Sequence, residues 1–398
     1  MSDLAKEPSA PATPPPSRRT PAPSATVARV VQGMLPSAVT TLVAVVLALV
    51  VGALLIIFTD PASLHALGRG DLGFVLQRVG DSYRALVSGA VGGGSQISTT
   101  LEYAAPLVCA GLGVTLAFRA GLFNIGAQGQ LIAGSALCAF VGFHWHVAGV
   151  AHLLVALIAA VVGGALWGAI AGILKARTGA HEVITTMMLN YVAKYALWYL
   201  LTKPAWIRPG QTNPTSPQVD ENALFPKILG FHSGVFLALV AAIGVWWLLE
   251  RTTWGFEMRA VGISPEASRT AGMSIAWVTT VVLTLAGLLA GLGGAMQILG
   301  QDNDLTQGTG GSIGFDAITV ALLGRATPMG TVLAGILWGG LQTGSASMQA
   351  AAGTPAELTE VIQALIVMFV AAPALVREIV RLRIISKEQT LATKGWGG

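Results

Sequence analysis

Charge is scarce in this chain. Of 398 residues, Asp, Glu, Lys and Arg make up only 11%, less than half the share of about 25% found in an ordinary soluble domain. A water-soluble enzyme is therefore disfavoured. Cysteine is scarcer still: Cys109 and Cys138 both fall inside apolar runs, which excludes a disulfide framework and a four-cysteine zinc site and leaves them as small packing residues. None of the seven lysines follows a glycine, so the Gly-Lys loop that cradles and neutralises phosphates is missing. The chain cannot hydrolyse ATP by that route, and energy for any work must come from a partner or an ion gradient. The basic residues behind the net charge of +4 are scattered rather than clustered, which disfavours nucleic acid as a partner. His144, His146 and His152 lie close in sequence with no Cys or carboxylate joining them, and His181-Glu182 has Thr185 where a zincin helix needs its second His. Neither group reads as a metal site.

What the chain has in quantity is apolar residues, 53% of the total, and 49 glycines. Apolar runs of about 20 residues match the roughly 30 Å of hydrocarbon that a helix must cross. The fold class is all-α, a polytopic membrane protein. Residues 1–35, with Pro8, Pro11, Pro14, Pro15, Pro16, Pro21 and Pro23, lack the means to bury a core and read as a disordered tail. Residues 36–376 form the transmembrane domain and 377–398 a basic C-terminal tail. An uncleaved first span is expected over 37–58, with further spans in 98–118, 122–142, 148–174, 182–202, 232–250, 274–298, 312–324, 328–348 and 357–376, ten in all. The 312–324 piece is short and is acceptable only as a broken or re-entrant helix covered by protein. With the N-terminus inside, sixteen of the 23 Lys and Arg fall in inner segments, six in outer segments and Lys194 within a span. That bias places both termini in the cytoplasm.

Small residues at i and i+4 let helices approach closely in lipid. Gly164, Gly168 and Gly172 form one such stripe, Gly287 and Gly291 a second, and Gly335 with Gly339 and Gly340 with Gly344 two more. A short echo links Glu182-Val183-Ile184 and Val192-Ala193 to Glu360-Val361-Ile362 and Val370-Ala371 at the same spacing. The two copies lie in spans of opposite direction, as an inverted five-helix repeat requires.

The polar stretch 251–272 is expected to be a cytoplasmic loop carrying a short helix. Ser264 suits its N-cap, Pro265 its first turn and Glu266 its positive end, while Ala267 and Ala271 offer a small flat face before Gly272. Such a helix suits docking to another protein, the alternative being an amphipathic connector on the membrane surface. With Arg259 and Gly262, these residues resemble the coupling helix of ATP-binding-cassette importer permeases. Three further segments are similar to signatures of one subfamily: Phe118 to Gln130 (FRAGLFNIGAQGQ), Glu182 to Tyr191 (EVITTMMLNY), and Gly314 to Gly324 (GFDAITVALLG) followed by Pro328 and Gly330. The subfamily is that of nucleoside and simple-sugar permeases related to branched-chain amino acid permeases, with the nucleoside branch the best match. The resemblance implies a bacterial plasma-membrane subunit that pairs with a second, non-identical permease and engages a cytoplasmic ATPase. It also implies that an extracellular binding lipoprotein delivers the solute. ATP and Mg would reside on the ATPase, with no cofactor on this chain. At position 128 the family often has Glu where this chain has Gln.

Polar residues inside spans are the candidates for the solute path, because unpaired polar groups are costly in hydrocarbon. Asn124 and Gln128, four apart, are expected on one helix face, as are Glu182 and Asn190, with Gln297 near the outer end of the seventh span. Their amides suit the hydrogen-bonding groups of a nucleoside; the alternative is that they fix helix packing. Asp316 is expected to cap a helix or pair with an arginine. Three other readings stay open: a simple-sugar permease, an ion-coupled transporter using Glu102, Glu182 and Lys194, and a membrane scaffold or sensor that transports nothing.

Overall fold

The computed structural model describes residue 43, residues 45–211 and residues 213–371. The proline-rich tail 1–35 and the C-terminal tail 377–398 lie outside the described residues. Among those described, the chain is a bundle of α-helices joined by short connections, with one two-stranded hairpin. Helix α1 (Val45–Thr59) meets α2 (Pro61–Gly68) at 87°, where Asp60 caps the second helix and pairs with Arg78 at 3.3 Å. There follow α3 (Leu72–Val91), α4 (Gly94–Arg119), α5 (Ala127–His144), α6 (Val150–Thr178) and α7 (Glu182–Leu200). The hairpin β1 (Lys227–Ile228) and β2 (Phe231–His232) leads into α8 (Gly234–Arg251), α9 (Thr253–Ile263), α10 (Pro265–Thr270) and α11 (Ile275–Gln297). A π-helical turn (Ile298–Asp302) ends α11 before α12 (Ile313–Leu323), α13 (Pro328–Ala352) and α14 (Ala356–Ala371).

Four helices are long and apolar enough to cross a membrane alone: α4, α6, α8, and α11 with its π turn. The bent pair α1 and α2 supplies a fifth. The chain is thus a multi-pass membrane protein. Helices α5, α7, α12 and α13 sit where spans were expected, within a few residues, but carry amides, charges or many small residues that other helices cover. One helix was not expected. The segment 72–91, which lies between the first two expected spans and carries Arg78, Asp81 and Arg84, forms α3, whose Val75, Val79, Ser82, Leu86 and Gly89 are buried.

Backbone approach decides the core. On α6, Gly164 and Gly168 meet the backbone of Gly287, Gly291 and Leu283 on α11, and Gly172 meets Thr280. The two stripes read from the sequence therefore pack on each other, antiparallel. On α13, Gly335 packs on Val108 and Gly339 on Thr100 and Ala104 of α4, while Gly344 packs on Leu86 of α3. Both α3 and α4 run antiparallel to α13, one after the other, separated by a break at Gly92 and Gly93. Glycine contacts thus pair α4 with α13 and α6 with α11.

The hairpin is anchored by His232. Its ring is buried against Gly300 of the π turn, stacks on Phe225 at 5.6 Å, and finds no hydrogen-bond partner for either nitrogen among the described residues, while its backbone N–H donates to Glu102 at 3.1 Å. Burial, with Lys227 nearby adding to the effect, lowers the imidazole pKa from the usual 6.5 to about 4. The neutral ring is therefore the folded form. Stability present above pH 6.5 should fall as pH drops from there toward about 4, where the unfolded chain binds the proton first. Thermal unfolding of the detergent-purified protein at pH 7, 5.5 and 4 checks this. His232→Phe should flatten the profile in that window, and an unchanged profile would show that His232 is not its source.

Candidate functional site

A polar cavity of about 450 Å³ opens between the end of α11, the 303–312 segment, α12, α4 and α13. Tyr103 and Leu107 reach it from α4, Trp338 and Gln342 from α13, Gln297 from the end of α11 and Asp302 from the π turn. Asp304, Thr306, Gly308, Gly310, Gly311 and Ser312 supply the unwound wall, and Asp316 stands in the first turn of α12. That wall is built of residues suited to irregular backbone, with Asn303, Gly310 and Gly311 at φ of 62°, 83° and 43°. Gln297 donates to Asp302 at 3.0 Å, Ser312 donates to Asp316 at 2.7 Å, and Arg208 pairs with Asp304 at 2.7 Å. Among the described residues Asp316 has no arginine partner and bonds the serine one turn before it.

Behind the wall stands a second layer of amides. Gln128 donates from Nε2 to the Gly311 carbonyl at 3.0 Å and accepts the Gly314 N–H on Oε1 at 2.7 Å. Asn190 on α7 donates to the Ile125 carbonyl at 2.9 Å and accepts the Gly129 N–H at 2.8 Å. Asn124 accepts the Gly126 N–H at 2.9 Å and donates to Gln130 at 3.1 Å. All three amides are buried. Each closes two hydrogen bonds on backbone or on another amide, which is how buried polar groups avoid the cost of desolvation. Glu182 pairs with Lys175 at 2.5 Å.

At the other functional region, Thr252 caps α9 by accepting the Gly255 N–H at 3.0 Å, and Ser264 caps α10 by accepting the Ala267 N–H at 3.3 Å. Pro265 starts α10, Ala271 is its C-cap, and Gly272 leaves at φ 85°. Pro265, Glu266, Ala267, Ala271 and Gly272 are exposed, and Ile263 is 87% exposed. Arg259 is held by Glu250 at 2.8 Å. Gly262 lies on the end of α4, where a Cβ would come within 2.5 Å of the Arg119 carbonyl and meet Gly121. Arg119 in turn donates to the Ala326 carbonyl at 2.6 Å.

Residues 96–371 match the family model for the permease component of the branched-chain amino acid transport system. The chain belongs to this family. The permease is 36% identical to a guanosine ABC transporter permease protein of Bacillus subtilis, over 84% of this chain and 93% of that protein. It is 36% identical to a glucose ABC transporter permease protein of Haloferax volcanii, over 69% of this chain and 75% of that one. A nucleoside ABC transporter permease protein of Lactococcus lactis subsp. cremoris is 33% identical, over 73% and 82% of the two chains. No solved structure matches.

In this permease the sequence-based site residues divide. Gln297 lines the cavity. Asn124, Gln128 and Asn190 are brought together, each bonded to backbone or to another amide, and are not among the residues that line the cavity. Asn124 and Gln128 do not share a helix face, because 120–126 is unwound and α5 starts at Ala127. Glu182 and Asn190 both lie on α7 with different partners, Glu182 on Lys175 and Asn190 on the Ile125 carbonyl and the Gly129 N–H. The sequence reading missed Tyr103, Trp338, Gln342, Asp302 and Asp304 as cavity residues. The signal for the acidic ones was present: a run Asp302-Asn303-Asp304 followed by Gly308, Gly310 and Gly311, polar and glycine-rich at the end of an apolar helix.

Proposed function

We propose that this permease is the membrane subunit of an ATP-driven importer and forms the translocation path for nucleosides. The observation that carries the solute half of this reading is the cavity, whose aromatic side chains Tyr103 and Trp338 stand beside amides and carboxyls. Flat bases stack on such rings, and hydroxyls and base N–H groups bond such acceptors. The names of the Bacillus subtilis and Lactococcus lactis relatives agree with it.

The chain crosses the plasma membrane of a bacterium ten times with both termini cytoplasmic, a reading supported by the Lys and Arg bias. Its two five-helix halves are inverted copies, supported by the exchanged pairing of α4 with α13 and α6 with α11. A cytoplasmic ATPase carrying ATP and Mg docks on α9 and α10, where Ile263 and the Ala267 face are open and Gly262 bears on α4. The Gly262 and Gly121 contact passes that push to the unwound 120–126 segment, and Gln128 passes it to the cavity wall. A second, non-identical permease completes the path, and an extracellular lipoprotein delivers solute. This chain itself is no enzyme.

Purification of the permease with its native partners, followed by a nucleoside-stimulated ATPase assay, tests the proposal. An ATPase should co-purify, and replacing Ile263 and Ala267 together by Asp should release it while leaving the extracted permease folded. Retention of a fully stimulated ATPase by that variant would remove the docking role. Import of a simple sugar is the second reading, favoured by the Haloferax volcanii relative. Uptake of radiolabelled glucose or ribose with none of guanosine would establish it in place of nucleosides.

A further inference from the structure

The cavity has an imbalance of hydrogen-bonding groups. Each of its three carboxyls uses Oδ2 within the protein: Asp302 with Gln297, Asp304 with Arg208, Asp316 with Ser312. The donors nearest them are thereby spent. Gln297 Oε1 is buried and has no partner, and Oδ1 of Asp302 and of Asp316 accept nothing from the described residues. Arg208 offsets Asp304, but Asp302 and Asp316 have no cationic partner among the described residues, and no Lys, Arg or His lines the cavity. The backbone of the wall offers little in compensation, because the Gly314 N–H is taken by Gln128 and the Gly311 N–H by Gly308. A solute entering this space therefore meets the free carboxyl oxygens of Asp302 and Asp316, which no cation among the described residues offsets, beside the rings of Tyr103 and Trp338 and the Gln342 amide.

We propose that Asp302, held in place by Gln297, and Asp316 determine solute specificity by accepting the ribose hydroxyls of an uncharged ribonucleoside whose base lies on the aromatic side. This rests on the nucleoside reading above and deepens it. The sugar of a ribonucleoside carries a neighbouring pair of O–H donors at 2′ and 3′, and the wall offers a free Oδ1 on each of Asp302 and Asp316. A hydrogen bond to a carboxylate is about twice as strong as one between neutral groups, and a site built for hydroxyls discriminates sharply against analogues lacking them, because its own polar groups are then left unpaired. A nucleoside 5′-phosphate replaces one donor by an anion facing two carboxyls with no counter-charge. The cavity turns it away, and phosphorylated precursors must lose their phosphate by hydrolysis before they are imported.

The test compares initial uptake of radiolabelled guanosine and 2′,3′-dideoxyguanosine by cells carrying the complete transporter with wild-type permease, Asp302→Asn or Asp316→Asn. The same binding protein serves every strain, so its own preference cancels when strains are compared. Loss of one charge-assisted bond is expected to lower guanosine uptake about 10- to 100-fold, while dideoxyguanosine uptake stays within about twofold of wild type, so that the preference for ribose collapses. Equal loss for both solutes would overturn the proposal. So would an unchanged ratio, or dideoxyguanosine uptake that stays undetectable in every strain while guanosine uptake is unaffected. Surface abundance and ATPase co-purification, measured for each variant, correct the rates for folding. If wild-type permease with its ATPase bound imports glucose or ribose and no guanosine, the nucleoside reading itself fails, an outcome separate from the ones above.

Discussion

Gly287→Val should leave almost no folded permease in the membrane. The Cβ of any side chain at 287 would fall on the carbonyl of Gly164, inside contact distance, and 3.1 Å from the Cα of Gly168. Relief by moving α6 is blocked, because Gly164 and Gly168 are themselves against the backbone of α11 and Gly172 is against Thr280. Overpacking against side chains costs about 1–3 kcal/mol. Here the obstacle is backbone on both helices, so the seam must open along its length, at a cost of at least about 3 kcal/mol, a large fraction of a typical net stability. Gly244→Val on α8 is the matched control, since nothing lies within 4 Å of its added atom. Detergent extraction followed by size-exclusion chromatography reads the result. A monodisperse Gly287→Val protein with the control's yield and melting temperature would mean that the close seam is not required.

Gln128→Met should lower solute uptake about 100-fold or more while the bundle still folds. The thioether fills the space of the amide, but the Gly311 carbonyl and the Gly314 N–H lose their partners together. Each buried group left unpaired costs about 1–3 kcal/mol, enough to displace the wall that carries Ser312 and leads to Asp316. Gln128→Glu separates the two bonds. A carboxylate keeps the acceptor for Gly314 and loses the donor to Gly311, whereas the protonated acid supplies both, so uptake by this variant should lie between wild type and Gln128→Met and rise as the pH is lowered. Initial uptake rates, normalised to permease in the membrane, check both variants. Rates within twofold of wild type for Gln128→Met would show that the wall holds itself.

Much of the helix order was legible because apolar length and glycine spacing report directly on spans and close helix contacts. The α6 and α11 stripes met each other as small-residue spacing implies. Helix α3 escaped because hydropathy averages both faces: its buried side is Val75, Val79 and Leu86, and its other positions carry Arg84 and Asp81. The short helix α10 is readable from Ser264, Pro265 and Gly272, since caps act locally, whereas α9 before it has no comparable stop signal until Ser264. The cavity was the least legible. Its lining comes from α4, α11, α12 and α13, and only tertiary packing brings Tyr103, Gln297, Asp316 and Trp338 together. The four-residue spacing of Asn124 and Gln128 misled for a related reason. Periodicity assumes a continuous helix, and Asn124 instead folds its own turn by accepting the Gly126 N–H.

The two sides of the cavity differ in what they leave open to change. On α4 and α13 the lining is side chain, from Tyr103, Trp338 and Gln342, while the contact between those helices is made elsewhere by Gly335 and Gly339. Those three positions can be varied one at a time with the helices unmoved. Across from them Gly308, Gly310 and Gly311 present backbone alone, and two of them occupy a region of φ that side chains rarely adopt. A library aimed at importing altered nucleosides therefore has productive positions at Tyr103, Trp338 and Gln342, and at the Asp302 and Asp316 side chains that flank the glycines, and divergence in solute choice among descendants of this permease should accumulate at those side chains while Gly308, Gly310 and Gly311 stay as they are.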